Sequence, residues 1–235
     1  MIPMNGPPTI LSLQVGRIQR REPTDGDGES ASAGGELASV WLSAIDKRPV
    51  DGPVRLELIR LAGDEQADQV HHGGLDKALL AYAAAHYERW RDEHPDRDWK
   101  FGGFGENLTI QGQDESTVCV GDRYRIGECV VEVSQPRQPC WKLSRRWRLP
   151  QLAVAVRTNG RTGWYLRVLA TGPLRAGLPV ELLARPYPEL SIAWANQVMH
   201  DPTRGLADVR LLAACPALAE AWKTPLEKRL ANASI

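Results

Sequence analysis

Short apolar and β-branched runs, separated by turn residues, fill most of the chain up to residue 185. The runs at 9–18, 54–61, 130–133 and 163–169 have the length and the residue types of β-strands. Glycines follow one another closely between several of these runs, a spacing that favours a meander or a barrel. The pattern therefore predicts a mainly β, barrel-like domain over 1–185.

After residue 185 the sequence becomes rich in Ala and Leu with helical periodicity. It predicts three helices, at 192–200, 206–213 and 216–230. A unit of this size has too little core to be stable alone, so we expect the appendage over 186–235 to pack on the sheet or on a second subunit. A homodimer formed through this tail is one hypothesis that follows.

Two local patterns lie within the larger domain. Residues 22–36 hold no large apolar side chain, so they predict a flexible insertion. Residues 76–90 carry apolar and aromatic side chains at helical spacing behind a candidate N-cap, Asp76, and they predict a helix. Two glycines, at 73 and 74, precede this helix. A helix start of that kind favours an anion, and Lys77 would meet it there.

Composition narrows the class of protein. The chain has 235 residues, 43% of them apolar and 25% charged, as in soluble globular proteins. Lys plus Arg equals Asp plus Glu at 29 each, so no overall basic field favours stable nucleic-acid binding. Since there is neither a membrane-length apolar run nor a signal-peptide pattern, we expect a cytoplasmic protein without membrane association.

Candidate chemistry centres on Cys140. The four cysteines form no CxxC motif and are expected to be free thiols. Cys140 ends the loop SQPRQPC, which directly follows a strand, and Pro136 and Pro139 stiffen that loop. A nearby cation, Arg137 or Lys142, would favour the thiolate that binds metals or attacks electrophiles. The residues alone leave an ordinary buried cysteine equally open.

Four motifs in this order resemble the MOSC family, the domain first described at the C-terminus of molybdenum cofactor sulfurases: HHGGLDKALLAY, FGENLTI, VGDRYRIG and SQPRQPC. The helical tail resembles the bacterial YiiM-type subgroup. The resemblance implies an α+β, mainly β fold with a barrel-like domain, flanking helices and a small three-helix appendage. It also implies the molybdenum-pterin cofactor (Moco), with Cys140 as catalytic residue and metal ligand. The cofactor-binding residues would be His72, Gly73, Lys77, Asn107, Arg137 and Lys47.

The resemblance further implies a reductase of N-hydroxylated compounds, for example N-hydroxylated purine bases. No flavin, haem or iron–sulfur motif is visible, so electrons would come from a separate donor protein. One alternative is a sulfur carrier or transferase with a persulfide on Cys140. Another is a non-enzymatic cofactor-binding or adaptor protein, whose helical tail would present a basic surface made by Arg204, Arg210, Lys223, Lys228 and Arg229.

Overall fold

The computed structural model describes residues 6–22, 40–68 and 73–233. The predicted insertion lies outside these residues except for Glu22, and so does His72. The described chain contains twelve strands: β1 Thr9–Val15, β2 Gln19–Arg21, β3 Trp41–Ser43, β4 Arg48–Pro49, β5 Val54–Leu56, β6 Leu79–Ala83, β7 Leu108–Gln111, β8 Arg123–Ile126, β9 Cys129–Pro136, β10 Trp164–Ala170, β11 Gly172–Leu174 and β12 Glu181–Ala184.

Six α-helices accompany the strands in the described residues: α1 Ala85–Glu93, α2 Trp141–Trp147, α3 Leu152–Asn159, α4 Ile192–His200, α5 Leu206–Ala213 and α6 Glu220–Asn232. The fold is thus α+β, as the sequence predicts. None of the helices described here has the length and apolarity needed to cross a bilayer.

Eight strands form one sheet in the order β12-β8-β9-β10-β6-β7-β1-β4. All neighbours run antiparallel except β6 and β7. The sheet curls, because the start of β1 meets the segment that leads into β12: the Ile10 N–H donates to the Leu178 carbonyl at 3.0 Å, and the Gly177 N–H donates back to the Ile10 carbonyl at 2.8 Å. The result is a half-barrel whose inner face holds the hydrophobic core.

The helix predicted over 76–90 is only partly correct. A short 3₁₀ turn, Leu75–Lys77, follows Gly74, and β6 begins two residues later. All five residues of β6 are buried, because it lies between β10 and β7. An Ala-rich, continuously apolar strand resembles a helix in sequence, and sheet pairing decides here. Asp76 is therefore not a helix N-cap, and no helix dipole acts at Gly73.

The second strand predicted from the sequence is too long. The strand predicted over 54–61 stops at Leu56, where the chain turns back so that Leu61 bridges to Leu56. In the sequence of 54–61, each of the two alternating sets of positions contains both charged and apolar residues, so no face is clearly apolar. The turn at 57–60 explains this, because its side chains belong to no sheet face.

The three predicted C-terminal helices form and share their core with the sheet. Val198, Leu212 and Trp222, one from each helix, belong to the same buried cluster as the sheet residues Val131 and Leu166. The backbone N–H of Ala219, just before α6, also donates to the carbonyl of Ser134 in β9 at 2.9 Å. The boundary between 185 and 186 stays a prediction, since hydrophobic packing crosses it.

This shared core predicts the effect of truncating Trp222, which is fully buried. Trp222→Ala should lower the free energy of unfolding by about 3–5 kcal/mol, because it removes a large side chain and leaves a cavity. Urea unfolding followed by circular dichroism should show one transition, shifted as a whole. The control Leu211→Ala, at a position 46% exposed, should change stability little. Separate unfolding of the tail would contradict the shared core.

Candidate functional site

The loop that carries Cys140 leaves the sheet at the end of β9. β9 pairs with β10, and the backbone N–H of Arg137 extends this pairing by donating to the Gly163 carbonyl at 3.0 Å. Gly163 has a φ of +74°, and a Cβ there would lie 2.4 Å from the Ala81 carbonyl oxygen. Only glycine permits this close approach. Because α2 starts directly after Cys140, the thiol lies between the end of an interior strand, β9, and the start of a helix.

One cleft of about 620 Å³ adjoins this loop. Five residues predicted for the site line it: Cys140, Arg137, Lys77, Asn107 and Lys47. Gly73 is not one of the lining residues, and His72 lies outside the described residues. A sulfur atom, three cations and an amide therefore share one cavity, although they are up to 93 positions apart in sequence, from 47 to 140.

Cys140 differs from the other three cysteines in its exposure. Cys119, Cys129 and Cys215 are buried, and burial raises the pKa of each thiol, that of Cys129 to about 11. Cys140 is partly exposed and lines the cleft. The alternative of an ordinary buried cysteine does not agree with this position. The thiol predicted to be reactive is the one that a ligand in the cleft can reach.

Arg137 places a buried positive charge beside the thiol. Its side chain is 4% exposed, and Nη2 donates to the Phe104 carbonyl at 3.0 Å. Nη1 is buried without a partner, and no carboxylate of the described residues forms an ion pair with the guanidinium. A buried charge without a counter-ion is unfavourable. An anion in the cleft would relieve this imbalance.

Lys47, in contrast, already has a counter-ion. Its ammonium donates to both oxygens of buried Asp64, which also accepts from Asn107 Nδ2 at 2.9 Å and from the Gly16 N–H at 2.8 Å. Burial lowers the pKa of Lys47, and Asp64 opposes that shift. The amide oxygen of Asn107 accepts from the Leu80 N–H at 3.2 Å. Lys47 and Asn107 thus belong to a buried polar network within the cleft wall.

Glu106 fixes the glycine-rich turn that Arg137 contacts. Its buried carboxylate accepts from the N–H of Gly102 at 2.7 Å, the N–H of Phe104 at 3.1 Å and the hydroxyl of Thr109 at 3.0 Å. Burial raises the pKa of Glu106, and these hydrogen bonds oppose the rise. The turn therefore presents the Phe104 carbonyl to Arg137 in a fixed position.

Two further polar groups belong to the cleft wall. Burial raises the pKa of Tyr165 to about 12, so its phenol keeps its proton at neutral pH and remains a hydrogen-bond donor. Burial lowers the pKa of Lys77, while Asp68 and Asp76 act against this shift. Since Asp64 neutralises Lys47, the charges that line the cleft are three cations, Lys77, Arg137 and Lys142, against two carboxylates, Glu65 and Asp68. The cavity therefore favours an anionic ligand.

Sequence reasoning missed Asp64 and Tyr165. Asp64 lies 17 positions from Lys47 and 43 from Asn107, outside any motif, so only the fold reveals their contact. Tyr165 sits in a strand with apolar neighbours, where an aromatic residue normally belongs to the core. No signal in the sequence distinguishes Asp64 from an ordinary loop aspartate or Tyr165 from an ordinary core tyrosine.

The curled sheet with a thiol at its cleft defines a MOSC-domain protein, since residues 68–181 match the MOSC domain. Residues 190–233 match the YiiM-like, 3-alpha helix domain. The chain thus belongs to the MOSC family and, within it, to the YiiM-like proteins. MOSC domains are associated with binding of the molybdenum cofactor.

Individual relatives agree with this assignment. The crystal structure of YiiM from Geobacillus stearothermophilus has a TM-score of 0.75 and 34% identity, and the match covers 95% of this chain and 100% of that one. The uncharacterized protein YflK of Bacillus subtilis is 38% identical over 94% of both chains. A protein of Gibberella moniliformis named "Reductase" is 36% identical over 92% of this chain, which spans only 36% of that protein.

The buried network around Asp64 leads to a stability prediction. Asp64→Asn should lower the free energy of unfolding by about 3–5 kcal/mol, because it leaves Lys47 charged and unpaired in the interior. The double variant Lys47→Met/Asp64→Asn should be more stable than Asp64→Asn, since no unpaired ammonium remains. Denaturant unfolding measures both effects.

The matched control is Glu57→Gln, which removes one carboxylate from the exposed pair that Glu57 forms with Arg60. An exposed pair of this kind contributes about 0–1 kcal/mol. If Asp64→Asn were as mild as this control, the network would not hold the cleft wall.

Proposed function

We propose that this protein is a molybdenum-cofactor-dependent reductase of N-hydroxylated compounds, such as N-hydroxylated purine bases. Membership of the MOSC family and the relative named "Reductase" support an enzyme of this kind. The observation that carries the proposal is the pairing, in one cleft, of a reachable thiol with a buried guanidinium that lacks a counter-ion. The substrate and the separate electron-donor protein are parts of the proposal.

The residues of the cleft fit such a cofactor. A thiolate is a ligand suited to a transition metal with high affinity for sulfur, and Cys140 supplies it. The pterin carries a phosphate, which needs cations, and Arg137 has a buried N–H group without a partner. Lys77 is a second cation in the same cleft. When bound, the molybdenum centre would supply two-electron chemistry that removes oxygen from the N–OH group.

The roles of the protein's own groups follow from their surroundings. Cys140 would hold the metal on a stiff loop, and Arg137 would neutralise the cofactor's anionic part. Tyr165 keeps its proton, because burial raises its pKa to about 12, and would orient the substrate by donating a hydrogen bond. Asn107 and Lys47 would act indirectly, through the network that holds the opposite wall.

One prediction of this proposal concerns Cys140 as the metal ligand. Cys140→Ala and Cys140→Ser should lose molybdenum and all reduction of an N-hydroxylated purine, because no other thiol reaches the cleft. Elemental and pterin analysis of protein made in a cofactor-competent host measures the first effect, and product formation the second. Cys215→Ala, at a buried position, is the control and should keep its molybdenum. Full metal content in Cys140→Ala would refute the ligand assignment.

The same preparation decides between the reductase and the sulfur carrier. A sulfur carrier would show an additional sulfur atom on Cys140 in native mass spectrometry and contain no molybdenum. The reductase requires the reverse result. Both readouts come from one purified sample, so neither depends on finding the physiological substrate.

A second prediction concerns Arg137. Arg137→Met should change the stability of the cofactor-free protein by less than about 2 kcal/mol, because the lost hydrogen bond is offset by removal of an unpaired buried charge. Retention of the pterin should fall about tenfold or more, since charge-assisted bonds of about 1.5–3 kcal/mol are lost. The exposed Arg157→Met is the control. The contrary result is a large loss of stability in the cofactor-free variant together with normal pterin retention in the loaded variant. It would show that Arg137 is only structural.

A further inference from the structure

A basic face adjoins the cleft on the outside of the molecule. Between Glu132 and Glu181 the sequence contains no carboxylate and nine cations: Arg137, Lys142, Arg145, Arg146, Arg148, Arg157, Arg161, Arg167 and Arg175. Four of these lie on α2 or directly after it, next to Cys140. Of the others, Arg137 is buried, and Arg161 and Arg167 pair with carboxylates outside this run. The positive charge beside the cleft is therefore that of α2.

The centre of this face is an exposed tryptophan. Trp141, the first residue of α2, is 47% exposed. The Arg145 guanidinium carbon lies 4.7 Å from its ring centroid, and the Lys142 ammonium lies 5.8 Å from it. Trp41, which is 8% exposed, packs edge-on against Trp141, with the two ring centroids 5.4 Å apart. An exposed indole held among cations has the composition of a protein-interface hot spot.

The charges around this centre are unbalanced. Among the described residues, one carboxylate, that of Asp46, is shared by three guanidiniums: those of Arg146 at 2.6 Å, Arg48 at 3.0 Å and Arg21 at 3.3 Å. Arg21 also lies over Trp41, at 5.7 Å from its ring centroid. The face therefore attracts an acidic surface, and long-range attraction of this kind speeds encounter between proteins.

Resting on the proposed function, we infer that this face, formed by Arg21, Trp141, Lys142 and Arg145, is the docking surface for an acidic electron-donor protein. Lys142 belongs to both the face and the cleft wall, so a protein seated here lies beside the thiol. Conversion of R–NHOH to R–NH2 and water consumes two electrons and two protons. Two reduced [2Fe–2S] ferredoxin molecules in succession, each giving one electron, or a reduced flavodoxin docking once or twice, would supply the two electrons, and water the two protons. The zero net charge of the chain, together with the exposed Trp141, favours a protein over a nucleic acid as partner.

The test uses the full-length protein with two acidic probes, a flavodoxin and a plant-type [2Fe–2S] ferredoxin, in titration calorimetry. At least one should bind, and binding should weaken as the salt concentration rises. Arg145→Glu and Trp141→Ala should each weaken binding about tenfold or more, as loss of a hot-spot residue does. The control Arg210→Glu, on the exposed side of α5, should bind like the unaltered protein and so also tests the helical tail as an adaptor surface.

Turnover separates docking from chemistry. In the cofactor-loaded protein, Arg145→Glu should lower reduction driven by the bound donor, whereas reduction driven by sodium dithionite should stay unchanged. Cys140→Ala should still bind the donor, because docking does not need the metal. The cofactor-loaded protein could be inactive with dithionite and still bind the donor at this face in a salt-sensitive way. That result would contradict the proposed reductase activity and leave the docking surface supported.

Several results would overturn the docking surface itself. The first is that neither probe binds. The second is that Arg210→Glu weakens binding as much as Arg145→Glu does. The third is that the protein prefers a DNA oligonucleotide to both donors. A fourth is donor binding that emerges only after deletion of the acidic residues 24–36, which would show that this segment of the chain occupies the face.

Discussion

The unpaired guanidinium of Arg137 is the constraint on which the architecture of the cleft depends. The protein buries two cations near its thiol and treats them in opposite ways. Lys47 is neutralised by Asp64 within the wall. Arg137 receives only a carbonyl, that of Phe104. Because an unpaired buried charge is unfavourable, an anionic ligand in the cleft would stabilise the side that Arg137 and Cys140 line.

The sheet explains how such an unfavourable group is held in place. Arg137 follows β9 directly, β9 pairs with β10, and the close approach at Gly163 ties the loop to its neighbour strand. On the opposite side, Glu106 accepts two backbone N–H groups of the turn that supplies the carbonyl. Rigid backbone on both sides prevents the guanidinium from escaping to solvent. The same rigidity fixes the direction in which the neighbouring thiol points.

The parts of the fold that could be predicted from the sequence are those with local signals. Strong periodicity marked the three C-terminal helices, and the strand followed by two prolines marked the Cys140 loop. The five buried residues of β6 looked helical, because a strand covered on both faces shows no alternation.

In the candidate site, too, the features with local sequence signals could be predicted and the features without them could not. Motifs indicated the side chains that line the cleft, but they did not indicate the partners of those side chains. Lys47 and Asn107 were expected to face a cofactor, whereas both are engaged by Asp64, a residue in no motif. The contact of Lys47 with Asp64 depends on the path of the chain between β4 and β6, and no local pattern encodes that path. The free charge of Arg137 likewise follows only from the absence of carboxylates around it among the described residues.

Rigidity also bears on the choice between metal ligand and sulfur carrier. A carrier persulfide must leave its resting place to meet the acceptor, so a mobile and open loop serves it best. Cys140 instead lies between the pairing of Arg137 with Gly163 and the first turn of α2. A thiol held at both ends of its loop, in the same cleft as a buried cation, meets the geometric needs of a metal ligand. It suits a ligand that must hold a metal in one orientation while the neighbouring cation holds the anionic part of the same cofactor.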